Sequence, residues 1–333
     1  MDIKVNTMSV LGNIVGAGIQ CRDAVLHTGV LDLLLNSLRT ISHQMSPLAE
    51  NEQQIDFARW STWFLCNIYR REHPDSKYDS NFVACLRILF NCKDQDAMMN
   101  LVVACKSFMN GFSTNTGRKI TALIEIGVVE FFVKILQFEE IDLAAQSTIV
   151  RCLCRTSNTA DWQRILDSGV FSIIATFLQS ERNQHHAFIL IKHFSKYRAW
   201  TNALVEQNCI GSILQKLYHK EDLYNSTAFL ALSRAIKFHS VGDEYDSIYI
   251  AAVTKFIPES VETMYLCGII LGLQTILVIL NRAAIHWTNL KKNGFIEFIK
   301  DFQQYMKKAR GVSRSSTIVS AIDSILNVSQ NRK

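Results

Sequence analysis

Apolar side chains recur at helical spacing along most of the chain. The stretch Ile120 to Ile126 shows this pattern, and a second set follows Gly127 at spacings of three and four positions: Val128, Phe131, Phe132, Ile135 and Leu136. No alternating run of apolar and polar residues is bounded by Asn-Gly or Asp-Gly, the combination that indicates a β-hairpin. The pattern therefore predicts an all-α protein.

A short marker recurs between the helical stretches. It is a small residue followed by an aliphatic or aromatic residue that opens an apolar run, and it occurs at Gly29, Gly127, Gly169 and Gly294, with a weaker copy at Asn208. Gly127 and Gly169 are 42 residues apart, and Gly169 and Asn208 are 39 apart. A glycine here can end one helix in a left-handed conformation and let the chain turn into the next. A helical period near 42 residues is typical of armadillo and HEAT repeats, which stack to share one core.

Composition agrees with a repeat array. The chain has 333 residues, which fits two globular domains or one extended array, and only 3 prolines and 14 glycines interrupt the helices. The net charge of +5 is not gathered into a dense basic stripe, so we expect no nucleic-acid binding. The most apolar stretch, Met264 to Leu280, is expected to be a buried helix and not a membrane span.

No arrangement of residues indicates catalysis. The sequence has no phosphate loop, nucleophile elbow or HExxH motif, so we expect no catalytic residues and no enzyme. The histidines His185, His186 and His193 lack a cysteine or acid that would complete a metal site, so neither a metal nor a cofactor is expected. The 9 cysteines include no CxxC pair, which favours buried thiols in a reducing compartment.

Two N-terminal segments resemble the importin-alpha family of armadillo proteins. Residues 11–26, LGNIVGAGIQCRDAVL, are similar to the family's third repeat, LGNVAGDSTQCRDYVL, and residues 63–70, WFLCNIYR, are similar to WALSNLCR of the next repeat. The specific match covers about the first 130 residues. The resemblance implies a right-handed superhelical solenoid of about seven armadillo repeats as a single domain over residues 1–333. Its partial first repeat would occupy residues 1–38, and an irregular C-terminal cap residues 285–333.

The family's binding feature is a Trp-x-x-x-Asn pair on the third helix of each repeat. In the family, stacked pairs form a ladder along a groove, where each Asn amide meets an extended peptide backbone and the indoles hold lysine or arginine stems. By this resemblance the peptide-binding groove residues are Trp63, Asn67, Asn13 and Asn110. Later positions of the Asn ladder, spaced 40 to 43 residues apart after Asn67, fall on Cys152, His193, Ser233 and Thr275. Trp63 and Asn67 are also open to a structural interpretation, as a buried indole and an amide that caps a neighbouring turn.

The resemblance implies a nuclear transport adaptor that binds nuclear localisation signal peptides of cargo proteins. Importin-beta or an export receptor would be a further partner, although the family's basic importin-beta-binding segment does not precede the first repeat. The expected location is the cytoplasm and the nucleus, with no membrane association.

The groove departs from the family pattern. The acids of the family's groove rim align with Ala17, Met99 and Val103, and Lys106 occupies a tryptophan position. An alternative is therefore a diverged armadillo interaction scaffold that no longer recognises basic signals. A third possibility is a fragment or degenerate copy without a binding function.

Overall fold

The structure is all-α over the residues described. The computed structural model describes residues 2–44, 52–110, 116–138, 141–156, 162–216, 222–238, 246–247, 249–251, 254, 266–282, 285–308 and 315–330. No strand occurs in these ranges. The predicted fold class is confirmed at the level of secondary structure.

The described residues contain nineteen α-helices with the following bounds. The first ten are α1 Asp2–Ala17, α2 Ile19–His27, α3 Val30–Gln44, α4 Glu52–Ile68, α5 Asp79–Leu89, α6 Gln95–Met109, α7 Thr116–Glu125, α8 Val128–Leu136, α9 Leu143–Thr156 and α10 Trp162–Asp167. The others are α11 Val170–Gln179, α12 Gln184–Phe194, α13 Arg198–Glu206, α14 Cys209–Lys216, α15 Asp222–Lys237, α16 Leu266–Arg282, α17 Ile285–Lys292, α18 Phe295–Lys308 and α19 Ser315–Gln330. A 3-10 turn, Ser76–Tyr78, precedes α5.

All five predicted turn markers have left-handed backbone conformations. The φ angles are 76° at Gly29, 91° at Gly127, 83° at Gly169, 70° at Gly294 and 54° at Asn208. Each of these residues lies between a short helix and the helix that follows it, as Gly127 does between α7 and α8. Since glycine and asparagine tolerate positive φ better than other residues, the turn between these two helices is encoded locally.

The chain forms two compact units, Met1–Ile173 and Ile174–Lys333. In the first unit, α1 packs against α4, α4 against α6, and α6 against α9. In the second unit, α12 packs against α15, α15 against α16, and α16 against α19. We call the first seven of these helices along the chain the ladder helices, because the predicted Asn ladder positions lie on them or directly after them. The division into a partial first repeat at 1–38 and a cap at 285–333 stays a prediction.

Large apolar side chains fill the core of each unit. Phe64, Phe82 and Phe132 in the first unit and Phe194 and Trp200 in the second are almost completely buried. The apolar stretch near residue 270 forms α16, and its described apolar side chains are buried at positions 269, 273, 276, 279 and 280. This confirms the expectation of a buried helix. Within the described ranges, every helix is too short or too polar to span a bilayer.

A buried lysine joins the helices around α5. The Lys119 side chain on α7 is 6% exposed, and its Nζ lies 3.3 Å from an Asp79 carboxylate oxygen and 2.9 Å from His73 Nδ1. The same Nζ lies over the rings of Tyr69 and Phe108, at 5.1 and 4.8 Å from their centroids. Burial, and then the Lys119 charge, lower the pKa of His73. The neutral ring can accept a hydrogen bond from Lys119. The cluster ties α5, α6 and α7 to the chain that follows α4.

The largely polar segment from Thr40 to Gln53, which contains Pro47, predicts a loop between two helices, but both of its ends are helical. Helix α3 continues to Gln44 and α4 begins at Glu52, so the first and last parts of the predicted loop are helical. Pro47 and its neighbours lie outside the described residues. The polar composition of this stretch led to the longer loop, but polar residues also occupy the exposed faces of helix ends.

Candidate peptide-binding groove

Two glycines allow α1 and α4 to approach closely. A Cβ placed on Gly12 would lie 2.7 Å from Trp63 Cδ1, and one placed on Gly16 would lie 3.1 Å from Asn67 Nδ2. The glycines are four residues apart, as are Trp63 and Asn67, so each pair lies on one face of its helix. The indole and the amide therefore rest on the bare backbone of α1.

Asn67 is held by one hydrogen bond and has one free acceptor. Its side chain is 4% exposed, and Nδ2 donates to the Gly12 carbonyl at 3.1 Å. The Gly12 oxygen can only accept, which determines the orientation of the amide. Asn67 Oδ1 consequently points away from that bond and has no hydrogen-bond partner among the described residues. Such a buried, unsatisfied acceptor is unusual in a folded protein.

Trp63 and Asn13 meet at the surface beside Asn67. Trp63 is half-buried, and its Nε1 donates to Asn13 Oδ1 at 3.4 Å. The Asn13 side chain is exposed. Three of the four predicted groove residues are thus brought together at the contact of α1 with α4, where an indole face and two amides lie side by side.

Asn110 is placed differently. Helix α6 ends at Met109, and Asn110 is the exposed residue that caps it, with its backbone N–H donating to the Ser107 carbonyl at 3.1 Å. Arg155 on α9 donates from Nη1 to the Met109 carbonyl at 3.1 Å and so satisfies the helix end. Asn110 therefore lies beyond the ladder helix and not on its face, and a part for it in peptide binding stays a prediction.

The later ladder positions are largely core residues. Ser233 and Thr275 are completely buried, and Cys152 is 2% exposed. Ser233 Oγ shares a 2.8 Å hydrogen bond with the Tyr249 hydroxyl, and Thr275 Oγ1 donates to the Ser233 carbonyl at 3.4 Å. At these two positions of the second unit, the ladder is satisfied from within the chain.

Charge is divided between the two ends of the ladder helices in the first unit. The C-terminal ends of α4, α6 and α9 carry Arg70, Arg71, Lys106, Arg151 and Arg155, and among the described residues there the one acid is Glu72. At the opposite ends, Arg59 contacts Asp94 at 2.8 Å, Asp56 at 3.5 Å and Asp96 at 3.8 Å. Asp94 also caps α6, accepting from the Ala97 N–H at 2.9 Å.

The three positions that align with the acids of the family's groove rim carry uncharged side chains. Ala17 is exposed at the end of α1, Met99 is half-buried on α6, and Val103 is 38% exposed on the same helix. None of these side chains can pair with a lysine. Lys106, one turn after Val103, adds a positive charge to this face.

Sequence reasoning missed the arginines next to Asn67. Arg22, Arg70 and Arg71 line a pocket with Asn67 and with four residues at the junction of α1 and α2: Val15, Gly16, Gly18 and Ile19. The signal was present in the sequence, because Arg70 and Arg71 follow Asn67 within four positions, just beyond the end of α4.

No group of His, Cys, Asp and Glu residues suited to hold a metal occurs in the described part of the chain. His193 is half-buried, and burial followed by the charge of Lys196 lowers its pKa. His186 is buried, and its pKa is lowered by burial and then by His185. The ring of Phe177 lies beside that of His186, with 6.4 Å between their centroids.

Comparison with solved structures identifies the class of fold. An engineered protein is 18% identical with a TM-score of 0.63, covering 96% of this chain and 73% of its own. Computationally designed armadillo repeat proteins for modular peptide recognition are 16% identical with a TM-score of 0.50, covering 69% of this chain and 92% of their own. The chain is an all-α protein of the armadillo-repeat solenoid type.

Comparison with curated proteins supports the sequence resemblance. Importin subunit alpha-5 of Arabidopsis thaliana is 29% identical over 136 residues, which are 40% of this chain and 23% of that protein. Importin subunit alpha-8 of the same plant is 27% identical over 177 residues, 53% of this chain and 36% of that protein. Importin subunit alpha-1 of Schizosaccharomyces pombe is 29% identical over 118 residues, 35% and 19% of the two chains.

The matched part thus spans between 19% and 36% of the length of these relatives. No family model matches the chain. The resemblance to importin-alpha subunits is confirmed, and so is the coarser prediction of an armadillo protein-binding scaffold.

Proposed function

We propose that this chain is an importin-alpha-like adaptor that binds an extended segment of a partner protein across α1 and α4. The observation that supports it is the meeting of Trp63, Asn67 and Asn13 at one surface. An indole face can pack on the aliphatic part of a side chain, while amides match the donors and acceptors of an extended backbone. The groove residues Trp63, Asn67, Asn13 and Asn110 remain the proposed contacts, with the first three as the centre.

The binding site is proposed for the first unit because two ladder positions of the second unit are covered by the chain itself. Ser233 and Thr275 are buried and hydrogen-bonded within the chain, so a peptide backbone would gain no partner there. The exposed Asn13 and the unsatisfied Oδ1 of Asn67 have hydrogen-bonding capacity to offer. A short site is therefore expected in place of a long ladder.

A second candidate function is recognition of lysine-rich nuclear localisation signals for protein import into the nucleus. It is favoured by the complete Trp63–Asn67 pair, since a half-exposed indole can hold a lysine stem with about 0.5–2 kcal/mol of cation–π attraction. Cargo proteins would then be the partners, with importin-beta or an export receptor as a further partner. The chain would move between cytoplasm and nucleus.

The test is selection from a displayed library of random peptides on the purified chain, followed by affinity measurement by fluorescence anisotropy. We expect Trp63→Ala to weaken the binding of the enriched peptides about tenfold, which corresponds to about 1.4 kcal/mol, because it removes the apolar contact surface. Phe138→Ala removes an aromatic that is 45% exposed beyond α8 and serves as the matched control. Absence of enriched peptides, or equal affinity for wild type and Trp63→Ala, would contradict the proposal.

A further inference from the structure

The pocket beside Asn67 contains two arginines that are not ion-paired. Arg22, which also lines it, is 4% exposed, donates to the Ile68 and Glu72 carbonyls, and pairs with Asp23 at 2.7 Å. Its charge is therefore compensated. Arg70 and Arg71 are exposed, and within the described ranges no carboxylate lies at ion-pair distance from either of them.

The same pocket contains the uncapped start of α2. The residue before the helix is Gly18, which has no side chain to cap it, and the first helical hydrogen bond is made by the Arg22 N–H to the Gly18 carbonyl at 3.0 Å. The N–H groups of the first turn thus have no acceptor within the helix, and the helix dipole is positive at this end. Arg71 lies close by, since a Cβ on Gly18 would be 3.9 Å from Arg71 Nη1.

Asn67 adds an independent indication of a bound group. Its Oδ1 is a buried acceptor without a partner, and it belongs to a side chain that lines the pocket. An anion cannot satisfy an acceptor, but a backbone N–H can. The pocket leaves about 10 Å³ for the centre of a water-sized group, which is close to the minimum for one water molecule. A peptide N–H can occupy this space while its side chain stays at the mouth beside Arg70 and Arg71.

We propose that the segment bound by this groove carries an anionic side chain, a carboxylate or a phosphate, which pairs with Arg70 and Arg71 at the start of α2 while a backbone N–H of the same segment donates to Asn67 Oδ1. The proposal rests on the proposed peptide-binding function and specifies the chemistry of its ligand. Arginine is well suited to it, because its planar fork binds carboxylate and phosphate oxygens in pairs.

The charges around the pocket favour an anionic side chain in the bound segment. Lys106, Arg151 and Arg155 extend the basic edge along α6 and α9, so a lysine-rich segment would be repelled along this edge. The aspartates of the first unit's ladder helices lie at the other ends, where Asp94 and Asp56 are already paired with Arg59. The segment is therefore expected to follow the C-terminal ends of the ladder helices.

The experiment uses peptides of one common sequence, derived from a library binder, that differ only in their central side chains. Serine, glutamate, phosphoserine and lysine versions are titrated against the full chain by anisotropy at about 0.15 M salt. We expect glutamate and phosphoserine to bind about tenfold more tightly than serine, and lysine to bind more weakly than serine. The comparison of glutamate with phosphoserine distinguishes the two sources of negative charge.

The variant is the double substitution Arg70→Gln and Arg71→Gln. Its matched control is Arg87→Gln with Arg118→Gln, which removes the same charge from exposed positions on α5 and α7. The first variant is expected to remove the preference for anionic peptides, and the control to keep it. Equal loss in both variants would show a nonspecific charge effect and overturn the inference, as would tighter binding of the lysine peptide.

The Asn67 contact is tested by N-methylating the glutamate peptide at one residue at a time. A single position is expected to lose about tenfold in affinity, since methylation removes one N–H donor. If every methylated peptide bound like the parent, the contact would be wrong. If the serine peptide bound and responded to Trp63→Ala without any anion preference, the adaptor function would stand and this inference would fail. If no peptide bound, both would fail.

Discussion

Gly12 and Gly16 control the contact on which the candidate groove is built. Trp63 and Asn67 lie over these two residues, and Asn67 reaches the Gly12 carbonyl only because no side chain intervenes. The four-residue spacing of the glycines matches that of the Trp–Asn pair, so the contact involves two consecutive helix turns. The residues that form the candidate groove, Trp63 and Asn67, are therefore also the residues that pack α4 against α1.

The substitution Gly12→Ala is expected to destabilise the protein by about 1–3 kcal/mol, because the new methyl group would overlap the Trp63 ring and force it to move. The measurement is chemical denaturation followed by circular dichroism, together with the affinity for a library peptide. Gly117→Ala on α7 is the control, since nothing lies within 4 Å of its added Cβ. Equal denaturation midpoints for wild type and Gly12→Ala would show that the ring is not in close contact with Gly12.

Arginines stabilise the C-terminal ends of several ladder helices. Arg155 donates to the Met109 carbonyl at 3.1 Å, and Arg234 donates to the Lys192 carbonyl at 3.0 Å and to Ser195 Oγ at 2.8 Å. The last carbonyls of a helix have no partner within it, so these bonds satisfy groups that would otherwise need water. At the scale of elements, an arginine on a later ladder helix helps to define where an earlier one ends.

The left-handed turns permit a second prediction. Gly127→Ala should lower the free energy of unfolding by about 1–2 kcal/mol, because an alanine at φ 91° is strained although its Cβ would have room. Asn208→Gly, at the equivalent turn with φ 54°, should be close to neutral since glycine accepts the same conformation. Denaturation curves of the two variants measure this, and equal destabilisation by both would contradict a role for backbone strain.

At the scale of the whole molecule, the two compact units differ in what occupies their ladder positions. The first unit has the exposed Asn13, the half-buried Trp63 and the unsatisfied Asn67 at one contact. In the second, Ser233 and Thr275 are core residues that bond within the chain. Because repeat proteins are built from neighbour contacts, one unit can lose free ladder positions without unfolding the other.

Cysteine reactivity provides a test that covers both units. Cys21 is exposed, while the seven other cysteines with described side chains are buried. Burial raises the pKa of Cys66 to about 11 and that of Cys85, Cys152 and Cys209 to about 12. Among these eight, a thiol reagent at neutral pH should label Cys21 rapidly and the others only on unfolding, because the thiolate is the nucleophile.

Peptide mass spectrometry after brief labelling locates the modified thiols, and Cys21→Ser should remove the fast phase among the eight. Rapid labelling of Cys105 or Cys152 in the native protein would mean that the contact between α6 and α9 opens readily.

The sequence by itself determined the all-α fold, the five left-handed turns and the four-residue spacing of Trp63 and Asn67. These depend on local physics: helical periodicity, the tolerance of glycine and asparagine for positive φ, and the pitch of a helix. The family resemblance of the first 130 residues also came from the sequence, and the comparisons confirm it.

Only the tertiary structure decided which ladder positions are open to a partner. Asn110 lies beyond its helix, whose last carbonyl is bonded by Arg155, 46 residues away. Ser233 is hydrogen-bonded to the Tyr249 hydroxyl. The Asn67 amide has its donor satisfied by the carbonyl of Gly12, which lies 55 residues earlier in the sequence, while its oxygen has no such neighbour among the described residues. Exposure and hydrogen bonding are properties of neighbours that come together only on folding, and residue type at a repeat position does not specify them.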